Sequence, residues 1–87
     1  MYRLVFGGSF LYSAKKLDNK LKRKIKLSLD ILQREPFNST LHTKTLSGEL
    51  ADYYSFRLGR AYRVIFRFIS SNVIYLVDVG HRKDIYR

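Results

Sequence analysis

The sequence predicts an α+β fold: an antiparallel sheet of about four strands packed on an N-terminal two-helix hairpin, in the order β-α-α-β-β-β. Three observations predict it. Apolar residues recur at helical spacing between residues 10 and 35, strand-like alternation occupies residues 53–69, and turn-forming residues fall between these runs. With 87 residues the chain is expected to form one domain, 1–87, because so short a chain buries only about two thirds of its unfolded surface.

Residues 2–6, YRLVF, alternate weakly and predict a first strand, closed by Gly7 and Gly8. Ser9 is then placed to cap a helix, along which Phe10, Leu11, Ala14 and Leu17 follow helical spacing. Asp18 or Asn19 supplies the cap of a second helix, which runs to about Glu35 with Leu21, Ile25, Leu29 and Leu32 as its buried stripe. Pro36 stops it, since proline has no amide hydrogen and disfavours helical backbone in the residue before it. Residues 37–50 lack periodicity and predict a loop with at most a short strand, tucked onto the core by Leu41, Leu46 and Leu50. Three strand-like runs follow, 53–58, 60–69 and 72–79. Gly59 and the Ser-Ser-Asn of residues 70–72 supply the turns, so consecutive antiparallel hairpins are the simplest arrangement.

Side-chain parity then assigns the two faces of the sheet. Tyr62, Val64, Phe66 and Phe68 form one apolar row and are expected to meet the helices, together with Tyr54, Phe56 and Leu58. Arg63, Ile65 and Arg67 go to the opposite, open face, where Tyr53, Ser55 and Arg57 join them. The last strand is apolar on both faces, so Ile74 and Leu76 are expected beside Ile65 as an exposed apolar strip. Such a strip on a very basic protein marks a partner surface, and an acidic, amphipathic segment matches both its charge and its apolar character.

Seventeen Lys and Arg against seven Asp and Glu give a net charge of +10, which favours polyanionic partners such as RNA, DNA or the ribosome. The run KKLDNKLKRKIK concentrates the charge, and Lys20, Lys22, Arg23, Lys24 and Lys26 can track phosphates, although the same residues also suit the outer side of an amphipathic helix pair. No cysteine is present, so neither disulfides nor a thiolate zinc site are expected, and two histidines argue against a structural metal site. No apolar run approaches the roughly 20 residues of a membrane helix, and the first residues lack the apolar core of a secretion signal, so a cytoplasmic location without membrane contact is expected.

The segments RLGRAYRVIFRF and VIYLVDVGHRKDIYR, with the preceding lysine-rich hairpin closed by EPF, resemble the RelE/ParE superfamily of toxins from type II toxin–antitoxin systems, close to RelE-type messenger-RNA interferases. The resemblance covers nearly the whole chain. It implies a ribosome-dependent endoribonuclease that inhibits translation, needs no metal or other cofactor, and pairs with a cognate antitoxin. The implied chemistry is attack of the substrate's own 2′-OH on the adjacent phosphorus, leaving a 2′,3′-cyclic phosphate.

On that resemblance Arg63 and Arg82 match the family's phosphate-stabilising arginines, and Tyr86 its C-terminal tyrosine, able to stack on a base or hold the 2′-OH. Each has a structural alternative: Arg63 could pair with Asp78, and Tyr86 could dock on the core. His81 is the cheapest proton-transfer candidate by its ordinary pKa, with a turn histidine bonded to backbone as the alternative. RelE carries two lysines where this chain has Ser55 and Arg57. Arg57 can still touch phosphate but is a poor base, which leaves His81, or a carboxylate among Glu49, Asp52, Asp78 and Asp84, to take the proton. Arg67 and Lys83 complete the expected nucleic-acid contacts, and His42, in the loop, is set aside. The competing functions are a ParE-like, non-enzymatic inhibitor of DNA gyrase and an RNA-binding module without toxic action.

Overall fold

A computed structural model describes residues 1–86. The chain forms β1 (Arg3–Phe6), α1 (Gly8–Lys15), α2 (Asn19–Arg34), β2 (Lys44–Thr45), β3 (Tyr54–Leu58), β4 (Tyr62–Ser70) and β5 (Val73–His81), with 3₁₀ turns at Ser39–Leu41 and Gly48–Leu50. The α+β architecture is the expected one. The sheet has five strands rather than four, in the order β1-β5-β4-β3-β2, because Lys44 and Thr45 in the long loop pair with Ser55 and Tyr54. The strand pairs β2–β3, β3–β4 and β4–β5 run antiparallel, whereas β1 lies parallel to β5 at the far edge. The α1–α2 hairpin between β1 and the later strands is the crossover such a parallel pair needs.

Local chemistry explains the helix ends. Asp18 caps α2, its carboxylate accepting from the Leu21 amide at 2.8 Å. The first helix begins earlier than its sequence suggests: Gly7, not Ser9, is the N-cap, and no side chain caps it. A Cβ on Gly7 would lie 2.5 Å from the Tyr75 hydroxyl and 2.8 Å from the Leu76 carbonyl oxygen, so this position is fixed by the close approach of β5. Across the fold, Ser13 of α1 donates to Asp78 at 2.7 Å.

The helices cover one face. Ile25 and Leu32 of α2 and Phe10 of α1 are buried against Phe56, Leu58, Val64 and Phe66, with Tyr54, Tyr62 and Phe68 packed at the border. The parity of β3 and β4 is thus as the alternation predicts. That of β5 is not: Ile74 and Leu76 are both 0% exposed and belong to the helix-side core. They stand directly opposite Phe68 and Phe66, and opposed residues of an antiparallel pair share a face. A bulge then intervenes, since Ile65 pairs with Asp78 while Phe66 pairs with Leu76, leaving Val77 as the extra residue. This one-residue insertion returns Val79 to the core after Leu76 and Ile74. The expected apolar strip of Ile65, Ile74 and Leu76 therefore does not exist. Ile65 does lie on the other face, outside the helix-side core, but at 5% exposure it offers little surface of its own.

Among the described residues no helix is long and apolar enough to cross a membrane.

Candidate nucleic-acid site on the open face of the sheet

Three strands and the C-terminal turn place the candidate residues. On β3 the alternation that buries Phe56 and Leu58 exposes Arg57 between them. On β4, Arg63 stands directly opposite Arg57. On β5 the residue opposite Arg63 is Gly80, which has no side chain. The space so left is taken by Ile85: a Cβ on Gly80 would come within 3.1 Å of the Ile85 side chain. The chain after β5 thus folds back across the open face and carries Arg82, Lys83 and Tyr86 onto it. The Arg82 amide donates to the Ala61 carbonyl at 2.7 Å, and the Ile85 amide to the His81 carbonyl at 3.0 Å, which closes the turn.

These elements enclose an open hollow of about 410 Å³ lined by Ser55, Arg57, Arg63, Arg82, Lys83 and Tyr86, with His42 and Lys44 from the loop. Among the described residues no carboxylate lines it. Tyr86, 42% exposed, donates from its hydroxyl to Ser55 Oγ at 3.1 Å, so its ring is anchored at the wall while much of it faces solvent. Arg63 is half-buried, and its Nη1 donates to the carbonyls of Tyr62 at 2.8 Å and Arg60 at 3.1 Å. Its guanidinium is therefore held by the β3–β4 turn rather than by Asp78, whose carboxylate is occupied by Ser13 and the Val79 amide.

Two arginines opposed across a strand pair repel one another, and like charges so placed destabilise a sheet. With Arg82, Lys83 and Lys44 around the same hollow and no acid among its lining residues, the cationic potential is uncompensated within it. A site of this construction takes an anion with several oxygens, and planar guanidinium groups suit a phosphodiester.

The remaining expected site residues divide. His81 does not line the hollow: it pairs with Tyr62, its ring meets the Tyr62 ring edge-on with centroids 5.6 Å apart, and its Nδ1 accepts from the Lys83 amide at 3.1 Å. Parity puts it with Tyr62, away from the arginines. His42, set aside on its sequence context, does line the hollow. It follows the Ser39–Leu41 turn with φ 52°, a left-handed conformation uncommon for a residue with a side chain. The pairing of Lys44 with Ser55 brings this stretch beside β3, and a two-residue strand leaves no periodic trace in the sequence. Glu49, Asp52, Asp78 and Asp84 are not among the lining residues. Arg67 also stands apart, its guanidinium 5.4 Å from the Tyr53 ring centroid. On α2, Lys20, Lys22, Arg23, Lys24 and Lys26 are all exposed, and of these Lys24 reaches the neighbourhood of Arg57.

A sequence profile described as "ParE toxin of type II toxin-antitoxin system, parDE" matches residues 6–86. The chain belongs to this toxin family, within the RelE/ParE superfamily. Among solved structures it is similar to the toxin-antitoxin complex RelB-RelE of Methanococcus jannaschii, at 28% identity over 94% of each chain with a TM-score of 0.76. It is likewise similar to the archaeal RelE-RelB complex of Pyrococcus horikoshii, at 26% identity over 95% of this chain and 97% of the other, TM-score 0.78. YafQ from E. coli shares the fold at 12% identity, with all of each chain covered and a TM-score of 0.83. No curated protein matches the sequence. The protein is thus a toxin of a type II toxin–antitoxin system with the RelE-like fold.

Proposed function

We propose that this toxin is a ribosome-dependent endoribonuclease that cleaves messenger RNA and so inhibits translation. The observation that carries the reading is the convergence of Arg57, Arg63 and Arg82 on one solvent-facing hollow with Tyr86 at its wall. RNA supplies its own nucleophile. The 2′-oxygen attacks the adjacent phosphorus as the P–O5′ bond breaks, giving a 2′,3′-cyclic phosphate on one fragment and a 5′-hydroxyl on the other. The proton lost from the 2′-OH is balanced by one gained at the leaving 5′-oxygen.

In this reading the three guanidinium groups face the phosphoryl oxygens, where negative charge builds in the transition state. Each such donor set is worth about 2.7–4 kcal/mol, or on the order of 10² to 10³ in rate. Arg63, fixed by two carbonyls, is pre-organised, and the exposed Arg57 closes on the substrate. Tyr86 stacks on a base, and its bond to Ser55 sets the ring's place. His42 is the imidazole of the hollow and takes the proton-transfer role first considered for His81.

The partner that restrains the toxin is an acidic antitoxin segment. Arg67 supports this: its Nε is buried with no hydrogen-bond partner among the described residues, so an incoming carboxylate would complete it. The relatives from M. jannaschii and P. horikoshii are antitoxin–toxin complexes, which favours the same arrangement.

A second reading, prompted by the description of the matching family, is a ParE-like toxin that binds DNA gyrase without cleaving RNA. Primer extension on messenger RNA after induction in cells separates them. Discrete cuts within translated codons, absent for Arg63→Met, are expected. Intact transcripts with gyrase-linked DNA breaks would select the second reading.

A further inference from the structure

Beside the arginine hollow lies a second cavity of about 450 Å³, lined by Lys24, Thr40, His42, Arg57, Gly59 and Arg60. It shares His42 and Arg57 with the first, so the two are neighbouring compartments of one basic surface. Four segments build it: Lys24 comes from α2, Thr40 and His42 from the 3₁₀ turn and its end, Arg57 from β3, and Gly59 and Arg60 from the β3–β4 turn. Among the described residues no carboxylate lines it.

The cavity is shaped by the turn. Gly59 has φ 67°, a left-handed conformation that other residues adopt only at a cost, and a Cβ there would sit 3.6 Å from Lys24 Nζ. The ammonium of the exposed Lys24 thus lies close to the turn. The same turn presents the Arg60 carbonyl to Arg63, so one short segment supports the fixed guanidinium of the first hollow and forms the rim of the second.

We propose that this cavity is a second phosphate subsite, which holds the phosphodiester next along an RNA strand whose neighbouring phosphate occupies the Arg57–Arg63–Arg82 hollow. Arg57 stands between the two and faces both. Lys24 is the principal cation of the subsite and Arg60 its rim. The subsite rests on the RNA-binding part of the proposed function, and gives it a requirement that a single-phosphate site lacks: a minimal ligand of at least two consecutive phosphodiesters.

The test is a binding cycle that does not depend on cleavage. The probe is a short single-stranded oligoribonucleotide carrying 2′-O-methyl groups, which cannot be cut, in versions with one internal phosphate at a time replaced by an uncharged methylphosphonate. Anisotropy is measured for the toxin and for Lys24→Ala. Loss of this one phosphate contact is expected to weaken binding of the unmodified probe about fivefold and to lower the slope of log K against log salt by about 0.7. Methylphosphonate at one position adjoining the phosphate sensitive to Arg63→Met is expected to weaken the toxin equally but leave Lys24→Ala unaffected. Additive losses at every position, or a uniform loss whichever phosphate is neutralised, would overturn the subsite and assign Lys24 to general electrostatic attraction. Cycle coupling in a toxin that cuts no transcript would refute the nuclease reading and keep the subsite. Cleavage with additive losses would do the reverse.

Discussion

Opposed arginines at positions 57 and 63 are expected to cost stability and, if the proposed cleavage holds, to support activity. Two unit charges roughly 6 Å apart repel by about 0.7 kcal/mol in a water-like dielectric, within the range of about 0.2–1 kcal/mol for cross-strand pairs. Arg57 is exposed and the described structure gives its side chain no hydrogen bond, so Arg57→Met removes the repulsion and little else. For a domain of this size 1 kcal/mol corresponds to about 4–8 °C in Tm, so the variant is expected to melt about 3–6 °C higher. Arg63→Met relieves the same repulsion but loses two bonds to turn carbonyls, at about 1 kcal/mol each, for a net loss near 1 kcal/mol. It is expected to melt about 4–8 °C lower. Both variants lose on the order of 10²-fold or more in cleavage. Calorimetry in low and high salt provides the assay, because screening shrinks the gain at position 57 and leaves the loss at position 63 largely intact. If Arg57→Met melts at or below the parent temperature in low salt, the two guanidinium groups do not oppose one another, and the case for an anion site between them fails.

Other perturbations test the remaining parts. Asp18→Ala removes the α2 cap and should cost about 1 kcal/mol without changing cleavage per folded molecule, as read by thermal melts alongside the activity assay. Phe66→Ala, at a fully buried position, should cost about 3–5 kcal/mol and leave a substantial unfolded fraction in circular dichroism. His42→Gln should slow cleavage in a single-turnover assay, whereas His81→Gln, on the other side of the sheet, should leave the rate close to the parent value. Arg67→Met should weaken capture of the antitoxin in a pull-down while sparing nuclease activity, since Arg67 stands outside the arginine hollow.

The sequence carries much of this arrangement where pattern is local. In β3 and β4 a period of two separates Phe56, Leu58, Val64 and Phe66 from Arg57 and Arg63, so the facing of both arginines follows from parity alone. The Asp18 cap and the Ile25–Leu32 stripe of α2 are equally local. Parity fails in β5, where both sets of alternate residues are apolar and Val77 interrupts the register; Ile74 and Leu76 consequently lie in the core. His42 was hidden for another reason. Its place depends on a two-residue pairing with β3, a non-local contact that composition does not announce. His81 shows the converse, a residue with suitable chemistry next to Arg82 in the chain that the strand directs elsewhere.

On the proposed function, the guanidinium groups of Arg57, Arg63 and Arg82 bind one phosphodiester together. Nitrogen-15 NMR of the arginine side chains, followed while the non-cleavable oligoribonucleotide is titrated in, tests it most directly. The Nε–Hε signals of these three residues are expected to move with a common affinity while that of Arg67 stays put. Shifts that are absent, or that report unrelated affinities for the three, would contradict it.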